Sequence, residues 1–298
     1  MTLQQLKYII TTAEKRNVTE AAKELFISQP SLTNAIKELE AEMNITIFDR
    51  SNKGVSITKD GEEFLGYARQ VIEQADLLEE KYSGIPRRRR DFSVSTQHYS
   101  FAVNAFVDLI NEYGGEKYDF KLRETQTFEI IDDVSRLKSE IGILYLSSFN
   151  EAVLKKLINQ NELAFTELFT ADAHVFITDT HPLAGRASVT LDDLAEYPYL
   201  SFEQGEHNSF YFSEELLSTA EHAKNIRVRD RATLFNLLIG LNGYTISSGV
   251  IDQKLNGKNI IAIPLDEDCN MRIGYITNKK ATLTSMAKFY VSALKKHI

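Results

Sequence analysis

The sequence predicts an α/β protein built in series. An N-terminal all-α-dominated module closed by a hairpin (a winged helix-turn-helix) comes first, then a long linker helix, then a C-terminal domain of two α/β lobes. Three observations predict it. Apolar residues recur at helical spacing as far as Met43 and are followed by a hairpin pattern. A run of apolar residues stepping by 4 and 3 follows Thr58. From Phe92 onward, short strands alternate with helices.

Leu3, Leu6, Ile9, Ile10 and Ala13 form one helical face. Asn17 ends this helix, and Thr19 is the expected N-cap of a short second helix with Ala21, Ala22 and Leu25 inside. The tight link Ile27-Ser28 leads to Gln29-Pro30, and proline suits a first helical turn. Leu32, Ile36, Leu39 and Met43 then make an apolar stripe, opposite Ser31, Thr33, Asn34, Lys37 and Glu38. Two short helices joined tightly, the second with short polar side chains outside, meet the demands of reading base edges in a major groove. Ile45 to Thr58 alternates around a Ser-Asn-Lys-Gly tip and predicts a wing, with Arg50 and Lys53 placed for phosphate or minor-groove contact.

The linker helix starts at Thr58. Phe64, Ala68, Val71, Ala75, Leu78 and Tyr82 form a seam with a period near 3.5, which favours pairing with a second copy. At 1.5 Å per residue the helix spans about 40 Å. Gly84-Ile85-Pro86 ends it, and Arg87 to Arg90 read as a solvated linker, with contact to DNA phosphate as the alternative. Strands are expected at 92–95, 120–124, 141–146, 164–165, 174–177, 199–202, 226–228, 244–247 and 272–277. Helices are expected around 101–109, 128–138, 234–241 and 285–296. Such alternation implies mostly parallel sheets.

The chain has 298 residues and a net charge of −8. Its 43% apolar and 26% charged residues are ordinary for a folded protein. Residues 1–90 balance at zero, so the whole net charge lies in residues 91–298. A non-specific architectural DNA protein is thereby disfavoured, because phosphate-driven binding wants excess Lys and Arg. The single cysteine, Cys269, can form no internal bridge and has no resolving partner for redox sensing. The histidines at 98, 174, 181, 207, 222 and 297 show no metal-ligand spacing, so no metal and no cofactor are expected. An enzyme is disfavoured by the lack of Gly-x-Ser-x-Gly, P-loop and Gly-x-Gly-x-x-Gly motifs. The uncharged run from Leu234 to Ile251 is too polar for a membrane span, and no secretory signal is expected.

Two sets of site residues follow. Gln29, Ser31, Thr33, Asn34 and Lys37, with Arg50 and Lys53, are the expected contacts to double-stranded operator DNA; Asn34 suits an adenine edge. The loops after strands should line a cleft between the lobes. They carry Thr96, Gln97, His98, Tyr99 and Ser100, then Thr125, Gln126 and Thr127, then Ser147, and in the second lobe Ser201, Phe202, Glu203, Thr245 and Ser247. Hydroxyls and free amides of this kind suit a small carboxylate or amino-acid-like ligand.

The stretch from Ser28 to Glu40, the Ile47-Phe48-Asp49-Arg50 and Ile57-Thr58-Lys59-Asp60-Gly61 segments, and four weaker matches in order resemble the LysR-type transcriptional regulators. Those four are Glu140 to Leu144, His181 to Ala184, Leu191 to Leu194 and Gly240 to Gly243. The resemblance implies a DNA-binding domain over 1–58, a dimerising linker over 59–90 and an effector-binding domain over 91–298, similar to periplasmic binding proteins. Lobe I would hold 91–162 and 267–298, and lobe II 163–266. It further implies a cytoplasmic, non-enzymatic regulator, a homodimer through the linker helix and usually a tetramer, tuned by a small-molecule effector. Asn34 stands where many members carry a basic residue or glutamine, and Asn242 interrupts the usual Gly-Leu-Gly.

Overall fold

The fold is taken from a computed structural model that describes residues 1–51, 54–83, 90–115, 118–207, 209–251 and 259–298. The chain divides into two compact units, Met1–Arg87 and Arg88–Ile298.

In the first unit, α1 (Leu3–Lys15) is capped by Thr2 and Gln5, whose side chains bond each other's backbone N–H. The N-cap of α2 (Val18–Glu24) is Asn17 rather than Thr19. The Asn17 amide oxygen accepts from Thr19 N at 2.9 Å and Glu20 N at 3.2 Å, so it satisfies two end donors where the Thr19 hydroxyl would satisfy one. Ala21 and Ala22 are fully buried, which lets α1, α2 and α3 (Gln29–Met43) approach closely. Ser28 caps α3, and Leu32, Ile36 and Leu39 fill the core.

Strands β1 (Phe48–Ser51) and β2 (Gly54–Ile57) form the hairpin, with Phe48 opposite Ile57. Glu40 of α3 anchors its entry, one carboxylate oxygen accepting from Ile47 N at 2.8 Å and Phe48 N at 3.0 Å. The Thr58 hydroxyl accepts from Gly61 N and starts α4 (Lys59–Ser83). Gly61 is required there, because a Cβ would collide with the Ile47 carbonyl. The seam on α4 divides. Phe64 and Ala68 pack into the module's own core, whereas Val71, Leu78 and Tyr82 stay exposed. Burying two seam positions locally holds the helix against its own module.

In the second unit, lobe I is a five-stranded sheet in the order β4-β3-β5-β12-β6: β3 (Arg90–Thr96), β4 (Tyr118–Glu124), β5 (Ile141–Leu146), β6 (Leu163–Asp172) and β12 (Asn270–Asn278). Helices α5 (Ser100–Tyr113) and α10 (Ser285–Leu294) pack together around Phe92, Phe106 and Tyr290, whose hydroxyl donates to Ala102 O at 2.9 Å. Helices α6 (Thr127–Ser135) and α7 (Glu151–Gln160) supply Ile130, Val134, Leu154 and Ile158 to a second cluster. Lobe II holds β7 (His174–Thr178), α8 (Leu191–Leu194), β8 (Tyr199–Phe202), β9 (Asn225–Val228), α9 (Arg231–Leu241), β10 (Thr245–Ser247) and β11 (Ile260–Pro264). Its strands run β10-β7-β11 and β8-β9, joined by a bridge between Tyr199 and Tyr244. Asn242 ends α9 in the left-handed region at φ 49°, a conformation asparagine tolerates.

Two expectations change. The sheets are mixed: β3 pairs in parallel with β4 and β5, but β12 is antiparallel to β5 and β6, and β7 is antiparallel to β10 and β11. The lobe division moves too. Residues 163–172, expected in lobe II, are an edge strand of lobe I, because β6 pairs with β12 along its whole length. The chain leaves lobe I along β6 and re-enters it along β12, so these two crossings must run antiparallel. The passage lies at Ala173, whose N–H bonds Cys269 O and whose carbonyl accepts from Leu265 N. Helix α7 and strand β11 were not anticipated.

Candidate functional site

The polar face of α3 is backed by Leu32, Ile36 and Leu39, which are buried. Gln29, Ser31, Asn34 and Lys37 are exposed and Thr33 is half-buried. Three of these side chains are engaged locally: the Ser31 hydroxyl meets that of Ser28 at 2.7 Å, and the Gln29 amide donates to Thr33 Oγ1 at 3.4 Å. Asn34 and Lys37 lie one turn apart along the exposed face. Arg50 sits on β1 opposite Val55. Its side chain, Lys53, and Arg87 to Arg89 lie outside the described residues.

In the second unit, a stretch of lobe II running from Glu203 to Leu217 meets lobe I at several points. Thr127, at the start of α6, donates to this stretch twice: its N–H to Gln204 Oε1 at 3.1 Å and its hydroxyl to Phe212 O at 2.7 Å. His98, after β3, gives its N–H and Nδ1 to one oxygen of the Glu214 carboxylate at 3.0 and 2.8 Å. Its ring stacks on Phe202 with centroids 3.8 Å apart. Tyr145 donates to Glu215 O at 3.1 Å. Phe128 stacks on His207 and Phe149 on Tyr211. Gly205 passes Gln126 so closely that a Cβ would come within 2.6 Å of its amide, and its φ of +56° also requires glycine. An ion pair of 2.9 Å joins Glu124, ending β4, to Arg231, opening α9.

The electrostatics of this seam are unusual for a buried region. Burial pushes the His98 imidazole down, but the Glu214 charge and hydrogen bond more than offset it, aided by Glu124 and Glu215, and the net shift is upward. Burial also raises Glu215 to about 8, with Glu214 adding to the rise and the Phe202 N–H opposing it. Glu124 is raised by burial, against the pull of Arg231 and His98.

The predicted cleft residues fall into groups. His98, Gln126, Thr127 and Phe202 line the seam. Gln97 is spent on the scaffold: its amide donates to Thr127 Oγ1 and accepts from Tyr99 OH and Tyr145 N. Thr96 donates to Gln97 O, and Ser100 is buried at the start of α5. Thr125 bonds Glu129, Ser147 pairs with Asn150 to start α7, and Glu203 pairs with Arg229. Ser201 is buried on β8, and Thr245 and Ser247 lie on β10 beside β7. A separate cavity of about 420 Å³ lies between α7, β6 and β12, where the cations Lys155 and Arg272 are both paired with Glu151.

Comparison with protein families settles the ancestry. Residues 3–62 match the model of the bacterial regulatory helix-turn-helix protein, lysR family, and residues 94–298 match the LysR substrate binding domain. The chain belongs to the LysR family. It is a DNA-binding transcriptional regulator with an effector-binding domain, not an enzyme. This LysR-type regulator is 26% identical over 208 residues to the uncharacterized HTH-type transcriptional regulator YybE of Bacillus subtilis (strain 168), covering 69% of this chain and 68% of that one. It is 23% identical to the HTH-type transcriptional regulator CysL of the same organism, covering 97% and 95%. A full-length OxyR variant from Pseudomonas aeruginosa shares the fold with a TM-score of 0.72 at 20% identity, covering 99% and 95%. The regulator CbnR does so with a TM-score of 0.58 at 18% identity, covering 100% and 99%.

The sequence reading missed Gln204, Glu214, Glu215, Glu124 and Arg231 in the regulator's seam. A signal existed: Glu214-Glu215 lies between Phe210-Tyr211-Phe212 and Leu216-Leu217, and acids flanked by apolar runs on both sides are candidates for burial. Among the described residues no group of His, Cys, Asp or Glu could hold a metal, and no helix is long and apolar enough to cross a membrane.

Proposed function

We propose that this regulator is cytoplasmic, pairs through α4 into a homodimer and doubles into a tetramer, and binds a small carboxylate or amino-acid-like effector between its lobes. Gln29, Ser31, Thr33, Asn34 and Lys37 read the major groove, and Arg50 and Lys53 reach phosphates or the minor groove. The effector lies against His98, Thr127 and Phe202, and its binding shifts the lobes between arrangements for which its affinity differs. What carries the reading of the ligand class is the arrangement at His98, where a peptide N–H and an imidazole converge on a carboxylate inside a seam between lobes. Pairing through α4 is supported by the exposed apolar side chains of Val71, Leu78 and Tyr82.

The test is a thermal-shift screen of the full chain against carboxylic and amino acids. A ligand of the native state raises Tm; a flat response across the panel overturns the ligand class. For DNA, Asn34→Ala loses discrimination between a duplex selected from a random library and an unselected one, while Arg50→Ala weakens both alike. Unchanged discrimination by Asn34→Ala counts against the assignment. A strictly monomeric chain at micromolar concentration overturns pairing through α4.

A further inference from the structure

The contact made by Glu214 differs in kind from the others along the seam. Glu214 belongs to lobe II, and the donors on its Oε2 belong to lobe I: His98 N at 3.0 Å and His98 Nδ1 at 2.8 Å. Its second oxygen lies 3.4 Å from the Gln204 amide. Both His98 and Glu214 side chains are buried. A carboxylate held by a peptide N–H, an imidazole and an amide, and withdrawn from water, is in the environment that a free carboxylic acid would need in order to bind here. The surroundings admit one such anion. Glu215 is adjacent, and Glu124 is already paired with Arg231. A second carboxylate beside Glu214 would meet that buried charge at close range and be repelled by it.

We propose that Glu214 is a tethered occupant of the cleft's carboxylate position, and that an anionic effector binds by displacing it. The inference rests on the reading of the seam as the effector site. Displacement has a structural consequence. Glu214 lies two residues from Phe212, whose carbonyl accepts the Thr127 hydroxyl, and next to Glu215, whose carbonyl accepts the Tyr145 hydroxyl. Expelling the carboxylate therefore pulls on both bonds and loosens the 203–217 stretch from lobe I. The ligand-free chain is held closed by its own side chain, and ligand exchange becomes a change in how that stretch is held. A tethered group competes at an effective concentration in the millimolar range or above, so a free acid binds the wild type more weakly than the vacated site.

The experiment uses the full chain and two probes, propionate and acetate, as sodium salts against sodium chloride at equal ionic strength. Binding is read from Tm against concentration and by calorimetry for wild type, Glu214→Ala, Glu214→Gln and the Glu214→Ala/His98→Gln double variant, with Glu206→Ala as a control on the same stretch. Acetate, which matches the carboxymethyl group removed beyond Cβ, and propionate, one carbon longer, should each bind Glu214→Ala on the order of tenfold or more tighter than wild type. Glu214→Gln, which keeps an acceptor for His98, should fall between them; it carries the test if the alanine variant does not fold. The gain should vanish in the double variant, and Glu206→Ala should match wild type. Equal affinity in wild type and Glu214→Ala overturns the proposal, as does a gain that survives His98→Gln, since propionate would then be filling a hole elsewhere. The two readings fail separately. A metabolite that stabilises wild type and Glu214→Ala equally preserves the effector site and sinks the tethered occupant. A panel with no hits, alongside a His98-dependent gain for propionate, does the reverse.

Discussion

Replacing Glu215 with glutamine tests the buried charge at the seam. Glu215 is almost fully enclosed, and its carboxyl is raised from 4.5 to about 8 by burial and by Glu214. The folded chain thus keeps a proton that the unfolded chain gives up. The stability this contributes is complete below about pH 4.5 and is lost as pH rises toward 8. A shift of this size at about 1.36 kcal/mol per unit amounts to roughly 5 kcal/mol across that window, and about 3 kcal/mol by pH 7. Glutamine can still accept from the Phe202 N–H, which now meets Glu215 Oε1 at 2.8 Å, but it carries no proton to lose. Thermal unfolding of both proteins from pH 5 to 8.5 should give curves that meet near pH 5 and separate upward. Glu215→Gln should melt about 10 °C higher at pH 8, at 2–4 °C per kcal/mol for a unit of this size. His98, raised by Glu214, also lowers stability as pH climbs past 6.5, but it does so in both proteins. A constant offset between the two curves would refute a buried proton on Glu215.

Two further outcomes concern the DNA-binding unit. Phe26, in the turn before α3, is 94% exposed and held at φ 54°, where a bulky L-residue is strained by about 1–2 kcal/mol; Phe26→Asn should raise the urea midpoint, and a lower midpoint contradicts the strain. Glu40→Ala should cost about 1.5–3 kcal/mol through the lost charged acceptor for Ile47 and Phe48 N–H, while Glu40→Gln keeps about half of it; faster hydrogen exchange at those two amides checks the cause.

The parts legible in the sequence are those fixed by local periodicity. The stripe Leu32–Ile36–Leu39 and the pairing of β1 with β2 depend on neighbours within one helix or one hairpin, and the sequence carries both patterns. Asn17 against Thr19 shows the limit of local reading, since both residue types cap and only geometry shows which reaches two amides. The antiparallel direction of β12 was not legible, because it follows from where the chain returns after about a hundred residues in another lobe. The same holds for the seam. His98 and Thr127 stood out as polar residues after strands, but their partners, Glu214 and Gln204, come from a stretch with two short 3-10 turns and no periodic pattern.

The charge distribution fits this division of labour. Residues 1–90 are neutral, and the net charge of −8 lies beyond them, so the chain as a whole is repelled by phosphate at long range. Non-specific affinity for DNA is correspondingly low, and a larger share of binding must come from contacts that discriminate between sequences. Short side chains on α3, backed by a core that leaves Leu32, Ile36 and Leu39 no exposure beyond 1%, are suited to that, because a rigid face loses little freedom when it docks. The same acidity is concentrated in part at the seam, where Glu124, Glu214 and Glu215 face His98 and Arg231. Acids that weaken attachment to DNA in general are thus also the groups whose pairing decides how firmly the lobes hold together. A change in that pairing acts on the contact between the lobes, and none of the groups involved belongs to α3.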